Sequence, residues 1–108
     1  MIRNIKAGIY QHYKGPFYLV YEVAEHSETE EPLVVYRPLY GEFELYVRPL
    51  DMFGESVVLA DGLSKLRFSF VAEVPSEHLT DKEAAMSLVA NGVLNQYKDN
   101  NKEQGNKA

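Results

Sequence analysis

The stretch Phe17–Leu39, FYLVYEVAEHSETEEPLVVYRPL, contains two runs of aromatic and β-branched residues that are separated by a polar, acidic connection. Such residues are enriched in strands, and a short polar connection between two such runs is typical of a β-hairpin. The connection, His26–Pro32, carries most of the acidic residues of this stretch. We therefore predict a hairpin here, and this hairpin sets the fold class.

Further strand-like runs follow the hairpin along the chain. Leu45–Leu50 comes after Gly41, and Val57–Ala60 is separated from Leu66–Val74 by Asp61–Gly62. An Asp-Gly pair between apolar runs is a strong signal for a tight turn. The sequence therefore predicts about five short antiparallel strands before Pro75.

The periodicity changes after Pro75. Thr80 and Glu83 have the spacing of a capping box, in which each side chain satisfies a backbone N–H of the first helical turn. The sequence therefore predicts a C-terminal helix from Thr80 to Tyr97. Asn91–Gly92 interrupts this helix, which either bends or ends there. The apolar stripe consists of Met86, Val89, Val93 and Tyr97, widened by Ala85 and Leu88.

The helix needs an apolar partner, because a helix of this length is marginal when alone in water. It either covers the sheet of its own chain or pairs with a copy in a second chain. We favour the first, and hence a monomer, since a short connection follows the last strand. A homodimer through the helix is the alternative.

Composition limits the classes of function. A chain of 108 residues without cysteine forms one domain that has no disulfide or thiol chemistry. A net charge of −5 argues against a broad surface for nucleic acid or anionic membranes. We expect a cytoplasmic protein, because no apolar run has the length of a signal peptide or a membrane span.

The domain organisation follows from these patterns. Residues 1–75 form an antiparallel β-barrel, and residues 76–98 contribute the C-terminal helix that packs on it. Residues 99–108 are polar and have no apolar period, so they are expected to form a flexible tail.

The turn at Gly41 predicts the register of the hairpin that it closes. An even-numbered loop pairs Tyr36 with Val47, Arg37 with Tyr46, and Val35 with Arg48. Side chains alternate across the pleat, so one set faces solvent and the other faces the core. The outer face is expected to hold Arg37, Tyr46 and Arg48, and the core to hold Tyr36 and Val47.

An even-numbered loop at the acidic connection extends this outer face. It places Tyr21 opposite Tyr36 and Val20 opposite Arg37. The outer face then gains Tyr18, Val20 and Glu22. An odd loop or a β-bulge would reverse part of this assignment.

The chain carries GIYQHYKG at 8–15, HSET at 26–29, LVVYRPLYG at 33–41 and VRPLDMF at 47–53. Together with Asp61–Gly62 and Arg67–Phe68, these runs resemble a bacterial family known as domain of unknown function 1653. The resemblance covers Gly8–Phe68 and implies a small SH3-like barrel. The helix predicted after Pro75 lies outside it. It implies no activity. Tyr46 stands where the family usually has tryptophan.

Two arginines on one sheet face could bind an anion or a carboxylate, and an ion-pair network with Glu22 is the alternative interpretation. His12 and His26 could act in acid–base chemistry or bind a metal, but neither has a recognised metal-ligand spacing. We interpret both histidines as solvated turn residues. No metal or cofactor is expected.

The sequence favours a non-enzymatic binding module for a peptide or protein partner. Its aromatic and arginine face resembles the surfaces that small barrels use for peptides and stacked bases. Single-stranded nucleic acid is the alternative ligand, followed by catalysis on a small anion. The expected binding residues are Tyr18, Arg37, Tyr46 and Arg48, with His12 and Lys14 at the rim.

Overall fold

In a computed structural model of the protein, residues 5–97 are described. Within these residues, the chain forms seven strands, two short α-helices and one 3-10 turn, Ser76–His78, and residues 95–97 are again helical. The helices are α1 (Leu50–Phe53) and α2 (Lys82–Ala90). The strands are β1 (Gly8–His12), β2 (Phe17–Glu25), β3 (Pro32–Pro38), β4 (Tyr46–Pro49), β5 (Ser56–Val58), β6 (Ser64–Leu66) and β7 (Phe68–Ala72).

Five strands form an antiparallel sheet in the order β4-β3-β2-β1-β7, and β5 and β6 form a separate hairpin. The predicted mainly β class with a C-terminal helix is confirmed. The sheet is open, however, because no ladder joins β4 to β7 within residues 5–97. The two strands between them in sequence pair only with each other, so the predicted barrel does not close.

Both faces of the sheet are covered by apolar side chains. One face packs against α2, with Ala85 and Leu88 in contact with sheet residues such as Leu19. The other face packs against α1, whose Leu50 and Phe53 are buried. Two cores on opposite sides of one sheet explain why nearly continuous apolar runs form β2 and β3.

The helix α2 packs on the sheet of its own chain. Its N-cap is Asp81 rather than Thr80, and the Asp81 carboxylate accepts the Ala84 N–H at 2.9 Å. The helix ends at Ala90, before the Asn91–Gly92 pair. The predicted stripe is partly wrong, since Met86 is 46% exposed. The predicted tail, residues 99–108, lies outside the described residues.

The register of β3 and β4 differs from the prediction by one residue. Tyr36 pairs with Tyr46 and Val35 pairs with Val47, because an odd number of residues, 37–45, separates Tyr36 from its partner. The turn does form at Gly41, where φ is +65°, but Phe43 also has a positive φ of 54°. The register shift exposes Val47, which was expected in the core, to 58%.

The hairpin of β2 and β3 begins as predicted and then shifts. Glu25 pairs with Pro32 across the even-numbered acidic connection, but the register changes between Val20 and Glu22. This irregularity pairs Val20 with Tyr36 instead of Arg37. Val20 is therefore fully buried rather than on the outer face.

No helix in the part of the chain that the structure describes is both long and apolar enough to cross a bilayer.

Candidate binding groove

Three tyrosines come together where β2, β3 and β4 lie side by side. Tyr46 is the direct partner of Tyr36 across β3 and β4, and their ring centroids are 6.1 Å apart. Tyr18 on β2 approaches Tyr36 edge to face, with centroids 5.6 Å apart. Edge-to-face geometry is favourable because the positive edge of one ring meets the negative face of the other.

A fourth tyrosine, Tyr40, reaches this cluster from the loop between β3 and β4. Its ring centroid is 5.7 Å from that of Tyr18, and the two hydroxyl oxygens form a hydrogen bond of 2.9 Å. The pKa of Tyr18 is raised because burial disfavours the phenolate, and the hydrogen bond and negative potential of Tyr40 add to the effect. Tyr18 is therefore a neutral hydrogen-bonding group at physiological pH.

Arg48 lies on the same face of β4 as Tyr46. Its guanidinium stacks on the Phe68 ring, 5.5 Å from the centroid, which fixes its orientation. The Nε atom is buried and has no hydrogen-bond partner among the residues that the structure describes. An arginine with free donors is suited to a planar anion such as a carboxylate.

These side chains line an open groove of about 500 Å³, which we call the tyrosine groove. The β3–β4 loop forms its other wall and contributes two carboxylates, Glu42 and Glu44. Glu44 is 3.3 Å from Lys82 of α2. The full lining consists of Tyr18, Tyr36, Pro38, Tyr40, Gly41, Glu42, Phe43, Glu44, Tyr46 and Arg48.

His12 lies beside the groove and contacts its floor. The imidazole centroid is 5.0 Å from that of Phe68 and 6.4 Å from that of Tyr18. Its pKa is lowered by burial and by the positive charges of Arg67, Lys14 and Arg48, in that order. The imidazole is therefore neutral at physiological pH, and its Nδ1 accepts the Lys14 N–H at 3.1 Å.

Lys14, the second predicted rim residue, is exposed in the turn between β1 and β2. Its Nζ lies 5.7 Å from the centre of the Tyr13 ring. Neither Lys14 nor His12 belongs to the groove lining. The structure therefore places both beside the groove rather than in it.

Arg37 lies on the opposite face of the sheet and is only 8% exposed. Its Nε donates to the Tyr21 hydroxyl at 2.9 Å, and its Nη1 donates to the Phe43 carbonyl at 2.6 Å. The prediction that Arg37 shares a solvent-accessible face with Tyr46 and Arg48 is wrong. The cause is the one-residue register difference, since neighbouring residues of a strand face opposite sides.

Seven of the ten groove residues were not among the predicted binding residues. Tyr36 was assigned to the core; it is buried as expected, but it also forms part of the groove floor. Tyr40 and Glu42 lie in the β3–β4 loop, whose path depends on the positive φ at Phe43. The tyrosines of 8–53, which include Tyr36 and Tyr40, indicated an aromatic surface, but no signal placed Glu42 beside it.

The comparisons with known proteins agree with this geometry. The sequence model of the family described as "Protein of unknown function (DUF1653)" matches residues 8–70, which contain every strand of the tyrosine groove. A crystal structure of a DUF1653 protein from Bordetella bronchiseptica is similar, with 36% identity and a TM-score of 0.59. The alignment covers 66% of this chain and 92% of that chain.

A comparison with curated proteins gave no match. The resemblance predicted over Gly8–Phe68 is confirmed by the family match, and α2 lies outside the matched residues. Because that match spans more than half of the sequence, the chain belongs to the DUF1653 family.

Proposed function

We propose that the chain is a non-enzymatic binding module for a peptide or protein partner, and that the tyrosine groove is its binding site. The observation that carries this proposal is the position of the groove along β4, an edge strand of the sheet. An extended peptide can pair with a free sheet edge, and pockets beside the edge then select its side chains.

Two side chains of β4 supply specificity in this proposal. Tyr46 is 50% exposed and presents its ring to an incoming side chain. Arg48 lines the groove, and its guanidinium is suited to a carboxylate of the partner, such as an acidic side chain. Buried aromatic and arginine anchors are the residues that dominate the energy of most protein interfaces.

The charges of the groove favour a peptide over single-stranded nucleic acid. Glu42 lines the groove beside its one arginine, Glu44 lines it as the ion-pair partner of Lys82, and the net charge of the chain is −5. A phosphate backbone would meet repulsion there, although tyrosine rings can stack on bases. The groove is also open to solvent, whereas catalysis on a small anion is favoured in a site that excludes water.

The test is selection of ligands from a phage-displayed library of random linear peptides against the full chain. The best peptide is then measured against Tyr46→Ala and Arg48→Gln. Two controls match these changes outside the groove: Leu66→Ala, at 49% exposure, and Lys65→Gln, which also removes one positive charge.

We expect each groove variant to weaken binding about tenfold or more, and each control variant to change it less than about twofold. Equal loss in groove and control variants would contradict the proposal. So would binding of a single-stranded oligothymidine that is tighter than that of any peptide and weakens steeply with added salt.

A further inference from the structure

A second cavity, of about 400 Å³, lies on the face of the sheet opposite the tyrosine groove. It is bounded by β2, β3, the end of the β3–β4 loop and the segment that leads into α2. Its walls are partly apolar and partly polar. The lining residues are Tyr21, Glu22, Val35, Arg37, Leu45, Leu79 and Thr80.

The guanidinium of Arg37 is the buried charge of this cavity. Its two hydrogen bonds go to neutral acceptors, the Tyr21 hydroxyl and the Phe43 carbonyl. No carboxylate lies within 4.0 Å of it in the described part of the chain. A buried cation is costly without a nearby anion, so this arrangement lacks the partner that buried arginines usually have.

The bonds to neutral groups explain the structural role of Arg37 but not its charge. The bond to Phe43 holds the carbonyl of a residue whose φ is +54°, and so fixes the path of the β3–β4 loop. An uncharged donor could make the same bond. The charge has no ion-pair partner within 4.0 Å among the described residues; it lies over the Tyr21 ring, 5.7 Å from the centroid, at the wall of a cavity that is large enough for a small molecule.

Three donors can act together at this wall. A guanidinium has five N–H groups, of which Arg37 uses two in its bonds to Tyr21 and Phe43. The Tyr21 hydroxyl accepts from Arg37 and keeps its own proton to donate. Thr80, whose side chain carries a hydroxyl, is also a lining residue. Two hydroxyls beside a guanidinium can bind the two oxygens of a carboxylate.

The rest of the cavity limits the size and charge of the ligand. Val35, Leu45 and Leu79 offer an apolar wall for a short aliphatic body. Glu22 also lines the cavity and adds a negative charge that opposes dianions such as phosphate. A single negative charge on a short apolar body fits both features.

We propose that the Arg37 cavity binds a small monocarboxylate, with Arg37, Tyr21 and Thr80 as donors to its carboxylate group. This proposal does not rest on the proposed peptide-binding function, although Arg37 also holds the β3–β4 loop that both sites share. Arg37 was expected from the sequence to bind an anion together with Arg48. The structure instead separates the two arginines into two sites.

The experiment is a titration of the full chain with sodium butyrate at constant ionic strength, followed by the backbone amide signals in NMR spectra. Butan-1-ol and butylammonium are the control probes, since they share the apolar body and lack the negative charge. We expect saturable shifts at Tyr21, Val35 and Thr80 with butyrate only. Equal shifts with butan-1-ol, or no saturation by about 100 mM butyrate, would overturn the proposal.

Substitutions at two exposed residues test the assignment even if Arg37→Gln fails to fold. Thr80→Val should weaken butyrate binding about fivefold, the effect of one hydrogen bond. Glu22→Gln should tighten it about twofold or more, because it removes a like charge. If neither variant changes the affinity for butyrate, the ligand is bound elsewhere and the assignment is wrong.

Discussion

The hydroxyl oxygens of Tyr18 and Tyr40 lie 2.9 Å apart, and this hydrogen bond joins β2 to the β3–β4 loop across β3. It connects the floor of the tyrosine groove to the opposite wall, a loop that carries Gly41 and two glutamates. The same loop is held from the opposite face by Arg37. The loop that shapes the groove is therefore held from both faces of the sheet, and the Glu44–Lys82 ion pair ties it to α2 as well.

Tyr40→Phe removes the bond between the two hydroxyls. We expect the pKa of Tyr18 to fall, because Tyr40 raises it, yet to stay above its ordinary value, because burial is the larger cause. The midpoint of the Tyr18 titration, followed by NMR of ¹³C-labelled tyrosine, measures this. Tyr46→Phe is the matched control and should leave the midpoint in place; an unchanged midpoint in Tyr40→Phe would show that the bond does not form.

Leu88→Ala and Met86→Ala compare two faces of α2. Leu88 is 4% exposed in the core beneath the helix, so its truncation should cost about 2–5 kcal/mol of unfolding free energy. Met86 faces solvent, so its truncation should change stability by about 0.5 kcal/mol or less. Urea denaturation of both variants checks the pair. If both variants lose the same free energy of unfolding, Met86 is buried in the core, as the sequence predicted.

Gly8→Ala tests the close approach of β1 to β7. Gly8 has a φ of +146°, and a Cβ atom there would lie 2.5 Å from the Ala72 carbonyl oxygen. Backbone strain and this clash should cost about 1–3 kcal/mol or more. Gly54→Ala is the control, because its Cβ would only make an ordinary contact of 3.7 Å with the Leu50 carbonyl oxygen. If both variants unfold at the same temperature as the wild type, Gly8 does not lie this close to Ala72.

His12 should make stability depend on pH. Its folded pKa lies below the ordinary 6.5, so the unfolded chain binds more protons in the interval between the two values. The contribution of neutral His12 to the free energy of unfolding is therefore complete above about pH 6.5, and it is lost as the pH falls through this interval. Thermal unfolding from pH 8 to pH 5 should show a smaller decline in His12→Asn than in the wild type, whereas His78→Asn should keep the full decline.

The strands and the helix could be predicted from local sequence, but the register could not. The apolar runs of β2 and β3 and the turn at Gly41 are local signals, and all three are in place. The register depends on Phe43, which adopts a positive φ that is rare for a bulky residue. The hydrogen bond from Arg37 that fixes Phe43 is a tertiary contact, which no local sequence pattern predicts.

The candidate site was predictable to the same degree. Tyr18, Tyr46 and Arg48 were expected on one face and do line one groove. Arg37 was misplaced, since a single extra residue in a loop moves a side chain to the other face of the sheet. The N-cap of α2 shows the same limit: Thr80 and Asp81 both have suitable side chains, and the structure uses Asp81.

The central claim is that a partner segment pairs with β4 beside the tyrosine groove. Amide hydrogen exchange of the full chain, with and without the best peptide selected against it, tests this most directly. The account predicts slower exchange at those amides of Tyr46–Arg48 that point away from β3, with little change in the β5–β6 hairpin. Unchanged exchange along β4 together with protection of Ser56–Val58 or Ser64–Leu66 would contradict it.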